Sequence, residues 1–253
     1  MEKTKTILIA TPTSSYKDYC LESWAKHLSK CITSDCKLLV IDNSKDAKYQ
    51  HRLRSVLNNN GIDNEVVRHY TECDDIRVLM CECNNISREY LLANNYKYML
   101  SLESDIYPPI GFIERLLSHD REVVGLQYFI SQYHASIPVT SLDVAKYFKM
   151  LNMINQTCLD GFIRADGKLR EVSAIGLGCV LIKRSVLEDI GFRVDDSEWK
   201  IDTDNHAHAD TFFHIDLMKN GIPIYLDTYD ICRHDNTSWK KIYDEEKEKN
   251  RKV

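Results

Sequence analysis

The chain has 253 residues, 43% hydrophobic and 28% charged, enough to bury the core of one large domain or of two small ones sharing a sheet. Its 33 Lys and Arg against 38 Asp and Glu leave a net charge of −5 with histidines neutral, which excludes a general electrostatic grip on nucleic acid or anionic lipid. No apolar run approaches the roughly 20 residues of a membrane-spanning helix, and Met1-Glu-Lys-Thr-Lys5 leads into strand-like sequence without a signal-peptide pattern, so a cytoplasmic protein is expected.

Thr6-Ile-Leu-Ile-Ala10 is a short apolar run, and Thr11-Pro12-Thr13, where proline removes a donor, is expected to stop the strand. Tyr19, Trp24 and Leu28 then recur at helical spacing, and Lys37-Leu-Leu-Val-Ile-Asp42 is a second strand ending in Asp42-Asn43-Ser44. Residues 53–57 read as helix, Asn58-Asn-Asn-Gly61 as a stop signal and Glu65-Val-Val-Arg68 as a third strand. A helix over 87–94 precedes a strand over 96–102, which enters Glu103-Ser104-Asp105 and the breaker pair Pro108-Pro109. After Val123-Val-Gly-Leu-Gln-Tyr128 the alternation lapses, and 131–166 reads as an irregular, partly helical insertion. Regular structure returns as a glycine-bearing strand region over 172–182, a helix over 185–190 closed by Gly191, a helix over 210–219 ended by Asn220-Gly221, and a last strand over 222–227. The tail over 239–253, rich in Lys and Glu, reads as a solvated helix or frayed end.

Alternating strands and helices predict an α/β fold: a Rossmann-like mixed, mostly parallel sheet flanked by helices, in one domain spanning 1–253. Ligands of such sheets sit beyond the carboxyl ends of the strands, where Thr11, Pro12 and Thr13, then Asp42, Asn43 and Ser44, then Glu103, Ser104 and Asp105 are gathered on one rim. Glu103 and Asp105, two residues apart at a turning strand end, offer hard oxygen ligands suited to Mg²⁺ or Mn²⁺. Taken alone, the same three residues also describe a solvated acidic turn. The nine cysteines are scattered and odd in number, which suits a reducing compartment; Cys73, Cys81 and Cys83 lack the paired spacing of a zinc knuckle and read as idle or buried thiols.

The order of these segments resembles the glycosyltransferases of the GT-A fold, most closely those of family two, over most of the chain. Ile7-Leu-Ile-Ala-Thr-Pro-Thr13 is similar to the opening strand and nucleotide-facing loop, Leu39-Val-Ile-Asp-Asn-Ser44 to the second strand with its base-contacting aspartate, and Asn85-Ile-Ser-Arg88 to the helix start before the metal motif. Tyr98-Met-Leu-Ser-Leu-Glu-Ser-Asp105 resembles the strand carrying Asp-x-Asp, with Glu103 in place of its first aspartate. Ala174-Ile-Gly-Leu-Gly-Cys-Val-Leu-Ile-Lys-Arg184 is similar to the acceptor-side glycine segment, Ala209-Asp210-Thr-Phe-Phe213 to the acidic-pair segment with Ala209 where glutamate is common, and Arg233-His234-Asp235 to the late histidine of the metal site.

The resemblance implies a metal-dependent glycosyltransferase, with 1–105 as its nucleotide-binding half and 106–238 as its acceptor half. Thr11, Pro12, Thr13, Asp42, Asn43, Ser44, Arg88, Glu103 and Ser104 would meet the nucleotide-sugar, UDP-sugar ahead of GDP-sugar. Asp105, His234 and Glu103 would hold Mn²⁺ or Mg²⁺, and Gly176 and Gly178 would let the backbone approach a sugar. Asp210 would act as general base in an inverting reaction, whereas as a residue it equally reads as a first-turn acid favoured by the helix dipole. The acceptor hydroxyl, on a saccharide, lipid carrier, protein or modified nucleic-acid base, is not specified.

Two other readings follow from particular residues. His206-Ala-His208-Ala-Asp210, with His214 four residues on, resembles the metal motif of metallo-β-lactamase-like hydrolases, with Thr211 where the final histidine belongs, and would make a zinc hydrolase. Glu103 and Ala209, as departures from the transferase pattern, fit a non-catalytic nucleotide-sugar-binding protein of the same fold.

Overall fold

The structure, a computed structural model, describes residues 5–73, 75–128, 167–172, 174–195 and 208–235. The expected insertion over 131–166, the charged tail over 239–253 and His206 lie outside the described residues. In chain order the elements are β1 (Ile7–Thr13), a 3-10 turn (Ser15–Lys17), α1 (Asp18–Leu28), β2 (Cys36–Asp42), α2 (Tyr49–Asn59), β3 (Asn64–Arg68), α3 (Ile76–Ala93), β4 (Tyr98–Leu102) and β5 (Ile106–Tyr107). They continue with α4 (Phe112–Ser118), β6 (Val123–Tyr128), β7 (Leu169–Val172), β8 (Cys179–Lys183), α5 (Arg184–Asp189), α6 (Ala209–Lys219) and β9 (Ile224–His234).

The strands form one sheet in the order β3-β2-β1-β4-β8-β6-β9-β5, with β7 also pairing β9. β1 to β4, β6 and β9 run one way and β5, β7 and β8 the other, so the sheet is mixed and mostly parallel, as the alternation predicts. Strands buried on both faces need apolar side chains at every position rather than at alternate ones. Ile7, Ile9, Leu38 and Val40 accordingly pack on one face with Trp24 and Leu28 of α1, Leu53 and Leu57 of α2 and Phe112 of α4. Leu8, Ala10, Leu39 and Ile41 pack on the other with Cys83 and Leu91 of α3, Leu187 of α5 and Phe213 of α6. Each such buried Leu, Ile or Phe contributes about 1.5–3 kcal/mol. No helix among the described residues is long and apolar enough to cross a membrane.

Helix ends follow local chemistry. The Asp75 side chain caps α3 by accepting from the Arg77 amide, and α2 and α6 run out into Gly61 and Gly221 at φ 69° and 67°, a left-handed geometry that glycine adopts without steric cost. The expected helix at 87–94 is the last two turns of α3, which begins about three turns earlier, at Ile76. The glycine-bearing region at 172–182 is two strands, β7 and β8, separated by a loop. Gly191 lies outside the left-handed region, and α5 ends instead on an extended Ile190.

Two further differences carry the chain to the rim. β1 does not stop at Pro12 but continues to Thr13, still in register with Asp42. Thr6 and Thr13 offer their carbonyls to opposite neighbours, β4 and β2 respectively, so Pro12 faces the β4 side, where pairing has ended at Ala10 and its missing N–H leaves no gap. β9 runs past the expected end at Asp227 as far as His234. Its register against β6 jumps from Leu126↔Asp227 to Gln127↔Ile231. The polar residues that interrupt the apolar pattern are satisfied there: Asp227 accepts from the Tyr229 amide and meets His119 Nε2 at 2.8 Å, and Thr228 Oγ1 donates to the Lys168 carbonyl.

The loop before β8 is shaped by Tyr128 at the end of β6. A Cβ on Gly176 would stand 2.1 Å from the Tyr128 hydroxyl, and one on Gly178 2.7 Å from the ring carbon Cζ. The Gly178 amide donates to that hydroxyl at 3.1 Å. On α6, His214 is 2% exposed with Nε2 unpartnered, and burial drives its pKa down to about 4 against the opposing pull of Asp210.

Gly176→Ala is therefore expected to cost about 1–3 kcal/mol by overpacking, and adding Tyr128→Phe should recover much of that loss. Gly178→Ala, which meets the ring itself, should be relieved less; chemical denaturation of the single and double variants checks the difference. Because the unfolded chain protonates His214 near pH 6.5 and the folded one only near pH 4, stability should fall as pH drops through that window. The loss amounts to roughly 3 kcal/mol in full. His214→Leu should flatten this stretch of the profile, read as urea midpoints between pH 4 and 7.

Candidate active site

The site is assembled where β1, β2 and β4 end. Asn43 donates its amide to the Thr13 carbonyl at 2.9 Å, and the Ser44 amide and hydroxyl bond Asp42 Oδ1 and the Ser15 amide at 3.0 and 2.8 Å. Asp42, in register with Thr13, is fully buried, and its second oxygen, Oδ2, has no hydrogen-bond partner; nor does Thr11 Oγ1, opposite Val40. A buried carboxylate oxygen left unmatched is costly, so Asp42 Oδ2 is an acceptor in need of a donor.

Between β4 and β5 the chain turns through Glu103-Ser104-Asp105. The Glu103 amide donates to the Gly178 carbonyl at 3.0 Å, and the Ile106 amide closes the turn on the Glu103 carbonyl at 3.1 Å. Ser104, 3% exposed, is tied by its hydroxyl to Thr13 Oγ1 at 2.8 Å, which fastens the acidic turn to the end of β1. From the other side β9 pairs His234 with Ile106 of β5, and the Asp235 amide donates to the Asp105 carbonyl at 2.9 Å. Glu103, Asp105 and His234 thus converge, with their ligand atoms all within 4.8 Å of one another. Asp105 Oδ2 lies 3.4 Å from His234 Nε2, whereas Asp105 Oδ1 is buried without a partner. Two carboxylates, one imidazole and an orphaned carboxylate oxygen fit a divalent cation of the Mn²⁺ or Mg²⁺ kind.

Two residues at the centre were not anticipated. Lys17, at the end of the 3-10 turn, is ion-paired with Asp105 Oδ2. In sequence a single lysine in a polar loop looks like any solvated one; only the fold turns it inward. Tyr128, whose ring meets His234 edge-on at 5.5 Å, holds the imidazole in place. Its signal was a large residue ending a strand in a chain that also carries paired glycines.

Charge is divided unequally over the site. Burial raises the Glu103 carboxyl, partly offset by Lys17, whereas for Asp105 the His234 hydrogen bond and the Lys17 charge together overcome burial and lower it. Burial works against the Lys17 ammonium, but Glu103 and Asp105 outweigh it and raise its pKa. Burial pushes the Cys20 thiol, beneath the turn, up to about 12, which disfavours its thiolate. Asp210, in the first turn of α6, accepts from the Thr211 amide at 2.8 Å and is close enough to bear on the charge of Glu103, Tyr128 and His214.

Three expectations change. Arg88 does not reach the rim: its guanidinium donates to the Leu187 and Glu188 carbonyls at 2.6 and 3.1 Å, closing the end of α5. Its companion Asn85 bonds both the amide and carbonyl of Phe192, at 2.9 and 2.7 Å, so this motif lies mid-helix and ties α3 to the chain after α5. Gly176 and Gly178 have a packing requirement of their own, room for Tyr128, and need no sugar to explain them. The histidine cluster does not form a metal site among the described residues: His208 is exposed at the start of α6 while His214 is buried and uncharged, and the one group of three ligands found there is Glu103, Asp105 and His234.

No protein-family model matches the sequence, and no curated protein does. Solved structures match its shape. S. aureus TarS 1-349 aligns with TM-score 0.55 at 13% identity, covering 92% of this chain and 61% of that one, and its complex with UDP-GlcNAc gives 0.56 at 12%, covering 91% and 58%. The mannosyltransferase PcManGT from Pyrobaculum calidifontis, in complex with GDP-Man and Mn²⁺, gives 0.57 at 11%, covering 92% and 57%. The chain spans about three fifths of the length of these structures. In its described residues the chain has the GT-A-type fold of glycosyltransferases.

Proposed function

We propose that the chain is a glycosyltransferase that takes a sugar from a nucleoside-diphosphate sugar with the help of a divalent cation and passes it to an acceptor hydroxyl. One observation carries this reading: a cluster of Glu103, Asp105 and His234, with an unmatched oxygen on Asp105, lies on the same strand-end rim as the unmatched oxygen of Asp42. The two places suit the two ends of a nucleotide donor. Asp42 Oδ2 would accept the imino hydrogen of uracil or the ring N–H of guanine, and UDP-sugar is favoured over GDP-sugar. Thr11, Thr13, Asn43 and Ser44 border the donor, in the half of the chain up to Asp105. The solved neighbours in complex with UDP-GlcNAc and with GDP-Man and Mn²⁺ support the donor class and the cation.

Asp105, His234 and Glu103 would hold Mn²⁺ or Mg²⁺, which when bound supplies positive charge against the diphosphate and makes it a better leaving group. The protein's own contribution is to fix these three groups in advance. Ser104 anchors the turn, Tyr128 props His234, and the Asp235 amide locks the end of β9 to Asp105. Asp210 is assigned the general base, taking the proton of the acceptor hydroxyl as the sugar carbon is attacked from the face opposite the diphosphate. Its side chain is held at the start of a helix by the Thr211 amide, which keeps one oxygen oriented and leaves the other to act.

Calorimetric titration with UDP and with GDP, each with Mn²⁺ and with chelator, should give binding of one nucleotide that depends on metal. Asp105→Ala should weaken that binding by at least about tenfold, since the cation loses its central carboxylate. Absence of binding by both nucleotides, or binding that Asp105→Ala leaves untouched, would overturn the reading. Asp210→Asn should retain nucleotide affinity and lose about 10²- to 10⁴-fold in transfer rate. Full transfer by that variant would remove Asp210 as base, and metal-dependent binding by the wild-type protein without consumption of any donor would favour a binding protein.

A further inference from the structure

The carboxylate cluster is where the rim most needs positive charge, and the chain brings one of its own. The Lys17 ammonium is ion-paired with Asp105 Oδ2, the same oxygen that His234 Nε2 approaches to 3.4 Å. The side chain of Lys17 is 20% exposed and that of Asp105 1%, so the lysine is the more accessible member of a pair largely shielded from solvent. Its anchor is short: Lys17 ends a single turn whose Ser15 amide is pinned by Ser44 on the nucleotide side of the rim. A lysine stem of four carbons can leave Asp105 without moving that backbone, and its point charge is suited to phosphate oxygens. A divalent ion entering the Glu103, Asp105 and His234 cluster therefore meets a carboxylate already compensated by a fixed cation, and like charges that close repel.

We propose that Lys17 is an internal counter-cation: without nucleotide it takes the cation's place on Asp105, and a nucleoside diphosphate draws it onto its phosphate oxygens, so that metal and nucleotide load together. The inference rests on the donor-binding reading above. It adds that Mn²⁺ without nucleotide is held weakly because Lys17 competes with it for Asp105, a coupling that linkage makes reciprocal. It also gives the lysine two duties in sequence, keeping the buried Asp105 beside the half-buried Glu103 from standing uncompensated in the empty enzyme and adding a second positive charge to the diphosphate in the loaded one.

The test is Mn²⁺ binding by calorimetry, first to the nucleotide-free protein and then to protein saturated with UDP, or with GDP if that is the nucleotide it takes. In the wild type, nucleotide should tighten Mn²⁺ by about tenfold or more. Lys17→Met should bind Mn²⁺ alone about tenfold more tightly than the wild type does, and its gain on adding nucleotide should shrink correspondingly. Lys17→Arg, which keeps the charge, should behave as the wild type. If Lys17→Met does not fold by circular dichroism, Lys17→Gln replaces it. Nucleotide-free Mn²⁺ binding that is unchanged or weaker in the neutral variant overturns the proposal. Failure of the wild type to bind UDP or GDP would instead sink the donor reading and the coupling with it, whereas competition for Asp105 would still be decided by Mn²⁺ alone.

Discussion

Two acids two residues apart cannot be carried into the end of a buried strand unless something answers their charge. The fold does this with one lysine and one histidine that come from opposite ends of the chain. Lys17 arrives directly after the first strand, and His234 arrives at the close of the last. Neither could be brought there without the strand order in which β1 lies beside β4 and β9 lies beside β5. The outcome is an asymmetric pair, in which Asp105 is held ionised while burial raises Glu103. An interior arrangement of this kind is weak evidence for stability, because desolvation takes back much of what ion pairing contributes. It is better understood as a prepared site.

The remaining features serve that preparation. The register jump in β9 takes three residues, Thr228 to Asp230, out of the pairing with β6 and lets the strand reach the rim with His234 in register with Ile106. Tyr128 fills the space above two glycines and supports the same histidine. Asn85 and Arg88, far from the crevice, bind the chain after α5 to α3, so the helix that precedes the acidic strand is fixed to the segment that follows β8. Precision at the rim thus depends on hydrogen bonds on the opposite side of the sheet from α1.

Much of this was legible from residue order. The apolar runs of β1, β2 and β4 follow from both faces being covered, and their polar ends mark the rim. His234 was reached through resemblance and not through pattern, since the polar residues around Asp227 read as the end of a strand while in space they are satisfied by His119 and Lys168. Arg88 shows the opposite: a conspicuous arginine near a motif reads as a ligand contact, and nothing local to it reveals that two carbonyls about a hundred residues away take its hydrogen bonds. Lys17 was invisible because a surface lysine and an ion-paired one differ only in tertiary surroundings. Pro12 was read as a terminator because the rule concerns a missing donor, and which neighbour that donor would have faced is a property of the sheet.

The thiols give the molecule a set of internal gauges. Of the eight cysteines among the described residues, Cys73 alone is exposed; Cys20 lies under the acidic turn, Cys83 on α3, and Cys179 of β8 and Cys232 of β9 lie against each other. A buried thiol reacts with an alkylating reagent only while its surroundings are open. The rate at which each is modified therefore reports the free energy of opening at its own position, with no label to introduce. Cys73 reports solvent reactivity as the reference, and Cys20 registers how firmly the strand ends are held with and without a bound nucleotide.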